Sequence, residues 1–108
     1  MATPLGVPYH AQMLPERVAR LLERFQSAPG KLDAALRRAA ATGGELPAPL
    51  KAWVDKVVRH AWKCADEDVA ALKAAGYDED QIYEATIAAA MGAATTRLER
   101  GLALVRGK

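Results

Sequence analysis

Residues 79–106, EDQIYEATIAAAMGAATTRLERGLALVR, form the longest stretch of helical periodicity in this sequence and decide its fold class. Asp78 precedes the stretch and Gln81 follows three residues later, which is the spacing of a capping box that begins a helix. From Ala85 to Ala94 almost every side chain is small, and small residues allow helix axes to approach closely. The stretch therefore predicts a long C-terminal helix with close helical neighbours.

The length of the chain limits how much of this helix it can cover. With 108 residues, the chain is expected to form one small domain around a single core. Too few other helices remain to surround the alanine-rich segment, so burial against a second subunit is one interpretation. Because alanine is also the best helix former, the other interpretation is that the segment reflects helix propensity alone.

Four shorter helices are predicted before the long one. Apolar residues recur three and four apart in each of them, and proline or glycine interrupts the pattern between them. The predicted helices begin near Leu14, near Leu32, near Pro47 or Pro49, and near Asp66, and the breaks fall at Pro29–Gly30, Gly43–Gly44 and Gly76. No segment alternates as a β-strand does. The sequence predicts an all-α fold of about five helices, with residues 1–12 as an N-terminal arm and residues 13–108 as a single domain.

Charge and hydropathy point to no nucleic acid and no membrane as partners. The chain has 15 basic and 13 acidic side chains, a balance too even to indicate either. The pair Arg37–Arg38 is too short for a nucleic-acid patch and is predicted to lie on a solvated helix face. No apolar run approaches the roughly 20 residues of a membrane span, and residues 1–12 lack the pattern of a signal peptide. A soluble, cytoplasmic protein is expected.

Cysteine usage limits the possible chemistry further. Cys64 is the only cysteine, which excludes an intrachain disulfide, a CxxC redox pair and a zinc site built from several thiolates. Asp66, Glu67 and Asp68 follow it, but three consecutive helical residues point in three directions. Acids at a helix start explain them better than a metal site does. No metal and no cofactor are predicted.

Residues 64–82, CADEDVAALKAAGYDEDQI, resemble the carboxymuconolactone decarboxylase and alkylhydroperoxidase D-like (AhpD-like) family. The family pattern is a CxxC pair, a histidine four residues later, an alanine-rich helix that ends in glycine, and an acidic turn that begins the next helix. Aligned on the glycine, Cys64 corresponds to the second cysteine, Ala61 to the first and Asp68 to the histidine. The resemblance spans roughly residues 46–104 and implies an AhpD-like helical domain that assembles through its alanine-rich helix into trimers or hexamers.

The residues that carry peroxidase activity in that family are changed here. In peroxidase members, two cysteines cycle between dithiol and disulfide while the histidine and an upstream glutamate relay the proton. Ala61 stands in place of the first cysteine, and Pro49 lies near the position of the glutamate. Glu84, one turn into the last helix, is a possible replacement for that glutamate. The resemblance therefore does not imply the dithiol peroxidase reaction.

His60, Cys64 and Asp68 are the candidate catalytic residues. His60 lies four residues before Cys64 and eight before Asp68, so a continuous helix would place all three on one face. A histidine–cysteine pair oriented by a carboxylate is an activated nucleophile, and a histidine alone can serve as a general base. The alternatives are a solvated histidine and a structural cysteine, because the three neighbouring acids disfavour a thiolate.

Three functions remain open from the sequence. The first is a homo-oligomeric AhpD-like protein that acts on or binds a small organic molecule by acid–base chemistry, with His60 transferring the proton. The second is a non-catalytic oligomer that binds a partner or a small molecule. The third is residual thiol redox chemistry at Cys64. Four aromatic residues are candidates either for a ligand pocket or for core and interface packing: Trp53, Trp62, Tyr77 and Tyr83.

Overall fold

The computed structural model describes residues 16–107, and these residues form five α-helices and no β-strand. The helices are α1 (Glu16–Ser27), α2 (Ala34–Thr42), α3 (Ala48–Arg59), α4 (Asp66–Ala74) and α5 (Glu79–Val105), with a short 3₁₀ turn at Ala61–Lys63. The prediction of an all-α fold with a long C-terminal helix is confirmed. The predicted arm, residues 1–12, lies outside the described residues.

Local side-chain and backbone chemistry sets the ends of these helices. At the start of α5, the Gln81 backbone N–H donates to Asp78 Oδ1 at 2.8 Å, and the Asp78 N–H donates to Gln81 Oε1 at 2.9 Å. The predicted capping box is thus confirmed. Gly43 ends α2 with φ +77°, and Gly76 follows α4 with φ +103°. Both values lie in the left-handed region that glycine enters without strain.

The core lies where α2, α3 and α4 meet the first half of α5. The largest fully buried side chains are Leu32, Leu50 and Leu72. The inward face of α5 consists almost entirely of small residues, which are Ala85, Ala88, Ala89 and Gly92 after Ile82. Helix α2 makes the most extensive contact with this face, and α3 packs beside it. Close approach of helix backbones therefore supplies much of the burial that bulkier side chains provide elsewhere.

Gly92 marks the closest approach between α2 and α5. A Cβ atom at this position would overlap the backbone carbonyl group of Ala41 and would lie 2.7 Å from the Ala41 Cα. Backbone atoms cannot turn aside as a flexible side chain can. The crossing of α2 over α5 consequently requires glycine at this one position.

Substitution of Gly92 by alanine should destabilise the fold. Forcing the two helices apart is expected to lower the free energy of unfolding by about 1–3 kcal/mol, even though alanine has the higher helix propensity. Gly101→Ala is the matched control within one chain, because no atom of the same chain lies within 4 Å of its added carbon. At protein concentrations low enough to keep the chain monomeric, that variant should be as stable as the native protein or up to about 1 kcal/mol more stable. Urea unfolding of both variants measures the difference, and equal midpoints would contradict the close approach.

Arg37 is buried, so the prediction of a solvated Arg37–Arg38 face was wrong for this residue. Its side chain is 4% exposed. The guanidinium donates from Nη1 to the Phe25 carbonyl oxygen at 2.8 Å and from Nη2 to the Ala28 carbonyl oxygen. These carbonyls lie at the C-terminal end of α1, where the helix leaves acceptors without donors and carries partial negative charge. Arg37 therefore attaches the end of α1 to α2, whereas Arg38 is exposed beside Glu23.

Replacement of Arg37 by methionine should remove this attachment. Methionine keeps the apolar length but leaves two carbonyl groups without their donor, so the free energy of unfolding should fall by about 2–3 kcal/mol. Arg38→Met is the control, because it removes an exposed ion pair of 3.8 Å with Glu23, and the free energy of unfolding should then change by about 0.5 kcal/mol or less. Urea denaturation followed by circular dichroism compares the two variants. Similar losses for both would show that the hydrogen bonds of Arg37 do not support the fold.

Candidate functional site

The three candidate catalytic residues lie on separate pieces of local structure. Helix α3 ends at Arg59, and His60 has a non-helical backbone with φ −143° and ψ 57°. Cys64 follows the 3₁₀ turn in an extended conformation, and Asp68 lies in the first turn of α4. Because the α-helix is interrupted between Arg59 and Asp66, the shared face that a continuous helix would create is not formed.

Asp68 is engaged in a structural role. Its carboxylate accepts hydrogen bonds from Lys56 Nζ at 2.8 and 2.9 Å and from the Ala65 backbone N–H at 2.9 Å. The Lys56 hydrogen bond and then the Ala65 hydrogen bond hold the pKa of the Asp68 carboxyl below its ordinary value. The pKa of Lys56 is raised by the same pair, with a smaller contribution from Cys64. Asp68 thus caps α4 and joins it to α3, and it does not orient His60.

His60 lies at the surface, and Cys64 is half-buried. The His60 ring contacts the Trp62 ring edge to face, with centroids 5.2 Å apart and planes at 80°. Within the part of the chain that the structure describes, no hydrogen bond joins His60 to Cys64 or to Asp68. Lys56 was not among the predicted site residues, although a basic residue on α3 facing an acidic helix start is a pattern that could have identified it.

Glu84 also has structural partners. Its two carboxylate oxygens accept hydrogen bonds from the backbone N–H groups of Lys31, at 3.0 Å, and Leu32, at 2.9 Å. The residue therefore fixes the turn before α2 against α5. The hypothesis that Glu84 replaces the family's upstream glutamate receives no geometric support, because these donors occupy both oxygens.

The four aromatic residues do not form one pocket. Trp53 packs against the core and donates from Nε1 to Thr86 Oγ1 at 2.7 Å. Tyr77 also packs against the core, whereas Trp62 and Tyr83 are exposed. Trp53 and Tyr77 therefore serve in core packing, as one of the two predictions for these residues had it. The two exposed rings, Trp62 and Tyr83, lie on different elements.

A groove of about 360 Å³ runs between the end of α2, the last turns of α3 and the middle of α5. Small and apolar residues form its floor, among them Val54, Ala89 and Gly92. Arg59 and Arg97 lie at its rim, and Arg97 Nη2 makes a long hydrogen bond of 3.4 Å to the Val58 carbonyl oxygen. The lining contains neither histidine nor cysteine, so the groove suits binding better than nucleophilic or imidazole-based chemistry.

The face of α5 that points away from the core is apolar along nearly its whole length. We call this face the outer stripe. At 3.6 residues per turn its members fall within a sector about 80° wide, opposite the buried alanines. The outer stripe consists of Tyr83, Ile87, Ala90, Ala94, Leu98, Gly101 and Val105. Tyr83, Leu98 and Val105 are 66%, 39% and 83% exposed, and none of the stripe residues is charged. A contiguous exposed apolar surface of this kind is typical of an interaction site.

Comparisons of the chain with protein-family models, with curated proteins and with solved structures found no match. The AhpD-like assignment therefore stays a prediction. Among residues 16–107, no helix combines the length and apolar character needed to cross a bilayer.

The ion pair between Asp68 and Lys56 should give a defined pH dependence to stability. Because the folded-state pKa of Asp68 is lowered, the stability that Asp68 contributes is present above the ordinary carboxyl pKa of 3.8. It disappears as the pH falls through the folded-state pKa of Asp68. The folded-state pKa of Lys56 is raised, so the stability that Lys56 contributes is complete below pH 10.5. It is lost as the pH rises through the folded-state pKa of Lys56. The Tm difference between the native protein and Asp68→Asn should therefore be constant at neutral pH and shrink at both extremes.

Thermal unfolding of both proteins across the pH range measures this dependence. Asp55→Asn, which removes an exposed pair with Lys51 at 3.4 Å, is the control and should give a smaller Tm difference at neutral pH. A difference for Asp68→Asn that persists undiminished well below pH 3.8 would show that the carboxylate charge is not the stabilising feature.

Proposed function

We propose that this protein is a non-catalytic, homo-oligomeric binding module whose interaction surface is the outer stripe of α5. The observation that carries the proposal is the continuity of that stripe. Apolar and small residues occupy the outward face of α5 from Tyr83 to Val105, and all of the stripe residues are exposed except Ile87, which is half-buried. Burial of such a face against another protein is the most direct way to remove its apolar area from water.

The geometry around the candidate catalytic residues favours this proposal over acid–base catalysis. A general base needs to be oriented, and the carboxylate expected to orient His60 is bound to Lys56 and Ala65 instead. Residual thiol redox chemistry at Cys64 has less support, because no hydrogen bond among the described residues joins its thiol to His60, and the acids that follow it in the chain disfavour a thiolate. The AhpD-like resemblance adds an expectation of assembly size, namely trimers or hexamers.

The groove is where a small organic ligand would bind in such a module. Its floor of alanine, valine and glycine suits an apolar body, and Arg59 and Arg97 at the rim suit an anionic group. Asp55 also lines the groove, but Lys51 lies 3.4 Å from its carboxylate. A small organic anion is therefore the ligand class that the lining fits best.

Measurement of the mass in solution tests the assembly. Light scattering coupled to size exclusion should give a multiple of 11.6 kDa for the native protein. Ala94→Glu places a charge at the middle of the outer stripe and should weaken association by about 10²-fold or more, because burying an unpaired carboxylate costs several kcal/mol. Ala52→Glu makes the same change at an exposed position of α3 and should leave the mass unchanged.

Two results would contradict the proposal. One is a native protein of 11.6 kDa at every concentration, which would show that the outer stripe does not associate. The other is equal loss of assembly in Ala94→Glu and Ala52→Glu, which would remove the stripe from the interface. Far-UV circular dichroism of each variant confirms that the helices remain folded.

A further inference from the structure

We infer that the outer stripe pairs with the outer stripe of a second copy of this chain, antiparallel, about a two-fold axis at Ala94. The inference rests on the proposed function and specifies the partner, orientation and register of its interface. Three independent features of α5 lead to it: the spacing of the stripe residues, the sizes of the side chains brought together, and the charges at the two ends of the helix.

The spacing of the stripe residues is the same in both directions from Ala94. Toward the N-terminus the steps are four, three and four residues, to Ala90, Ile87 and Tyr83. Toward the C-terminus they are again four, three and four, to Leu98, Gly101 and Val105. A two-fold axis relates position +n on one helix to position −n on its partner, so this symmetry lets every stripe residue of an antiparallel pair meet another stripe residue.

The stripe also stays on one side of a nearly straight helix. Tyr83, Ala94 and Val105 are spaced by eleven residues, which corresponds to about 3.67 residues per turn, close to the 3.6 of an undistorted helix. Two such helices therefore keep their stripes in contact over about 33 Å without strong supercoiling.

Side-chain sizes are complementary in the antiparallel register. The facing pairs are Tyr83 with Val105, Ile87 with Gly101, Ala90 with Leu98, and Ala94 with itself. Ile87 and Leu98 each meet one of the smallest residues, and alanine at the axis allows the backbones to approach. A parallel register would instead place Ile87 on Ile87 and Gly101 on Gly101, which alternates crowding with voids.

Charge favours the same orientation. The N-terminal end of α5 carries Asp78, Glu79 and Asp80. Its last third carries three basic residues, Arg97, Arg100 and Arg106, and one acid, Glu99, so this end is net basic. An antiparallel pair brings the acidic end of each helix beside the basic end of the other and opposes the two helix dipoles. Asp80 and Glu79 have lysine partners within the chain but remain 64% and 81% exposed, so both face solvent where the second helix would end.

Cysteine cross-linking tests the register in a Cys64→Ser background, which contains no other thiol. Ala94→Cys should form a disulfide dimer under mild oxidation, because the two copies meet at the axis. Ala90→Cys and Leu98→Cys should each fail alone, since the two copies of either residue lie about 12 Å apart along the axis, beyond the roughly 7 Å limit between Cα atoms. A mixture of these two variants should cross-link. Ala52→Cys on α3 should not cross-link and measures random collision.

The outcomes separate this inference from the proposed function. A monomeric native protein with no cross-linking above the Ala52→Cys level would overturn both. A stable oligomer in which Ala94→Cys stays unlinked, or in which Ala90→Cys and Leu98→Cys each link to themselves, would overturn the antiparallel register alone. A trimer would do the same, because a cyclic trimer contains no two-fold axis, whereas dimers and two-fold-containing hexamers agree with it.

Discussion

The contact between α2 and the small-residue face of α5 is the constraint on which the rest of the structure depends. At Gly92 the Ala41 backbone occupies the space where any side chain would begin, and Ala85, Ala88 and Ala89 are buried along the same face. Small side chains make contact only when the helix axes are close together, so this packing tightly restricts the relative position of α2 and α5. The crossing of α2 over α5 in turn determines where the remaining helices can lie.

Two polar interactions hold the first half of α2 in that position. Glu84 on α5 accepts hydrogen bonds from the Lys31 and Leu32 backbone just before α2 begins. Arg37 on α2 donates to carbonyl groups at the C-terminal end of α1. Both use a charged side chain to complete backbone hydrogen bonding rather than to form an ion pair. Residues that would suggest chemistry in a sequence are therefore used here to join helices, and Asp68 does the same between α3 and α4.

This use of the inward face leaves the opposite face of α5 apolar and exposed. A chain of this length has helices to cover one side of its longest helix, and α2 and α3 cover that side. Within residues 16–107, six of the seven residues of the outer stripe stay exposed, and Ile87 is half-buried. Small residues permit close packing on the inward face of α5, and small residues also occur on its outward face, at Ala90, Ala94 and Gly101. Self-association through that face would extend to a second copy the packing principle that already organises the first.

The sequence by itself determined the all-α class, the helix breaks at Pro29–Gly30, Gly43–Gly44 and Gly76, and the long C-terminal helix. These features depend on residues close together in the chain: Asp78 with Gln81 at the start of α5, Gly43 after α2, and the periodic apolar residues of each helix. Only the tertiary structure decided that Arg37 is buried, that Asp68 faces Lys56 rather than His60, and that Gly92 meets Ala41. The physical reason is that helical periodicity assigns each residue to a face of its own helix but does not say which face meets which neighbour. Which face meets which neighbour depends on the break after Arg59, which brings Asp68 to Lys56, and on the crossing of α2 over α5, which brings Gly92 to Ala41. In both cases the residues that meet are not neighbours in the chain.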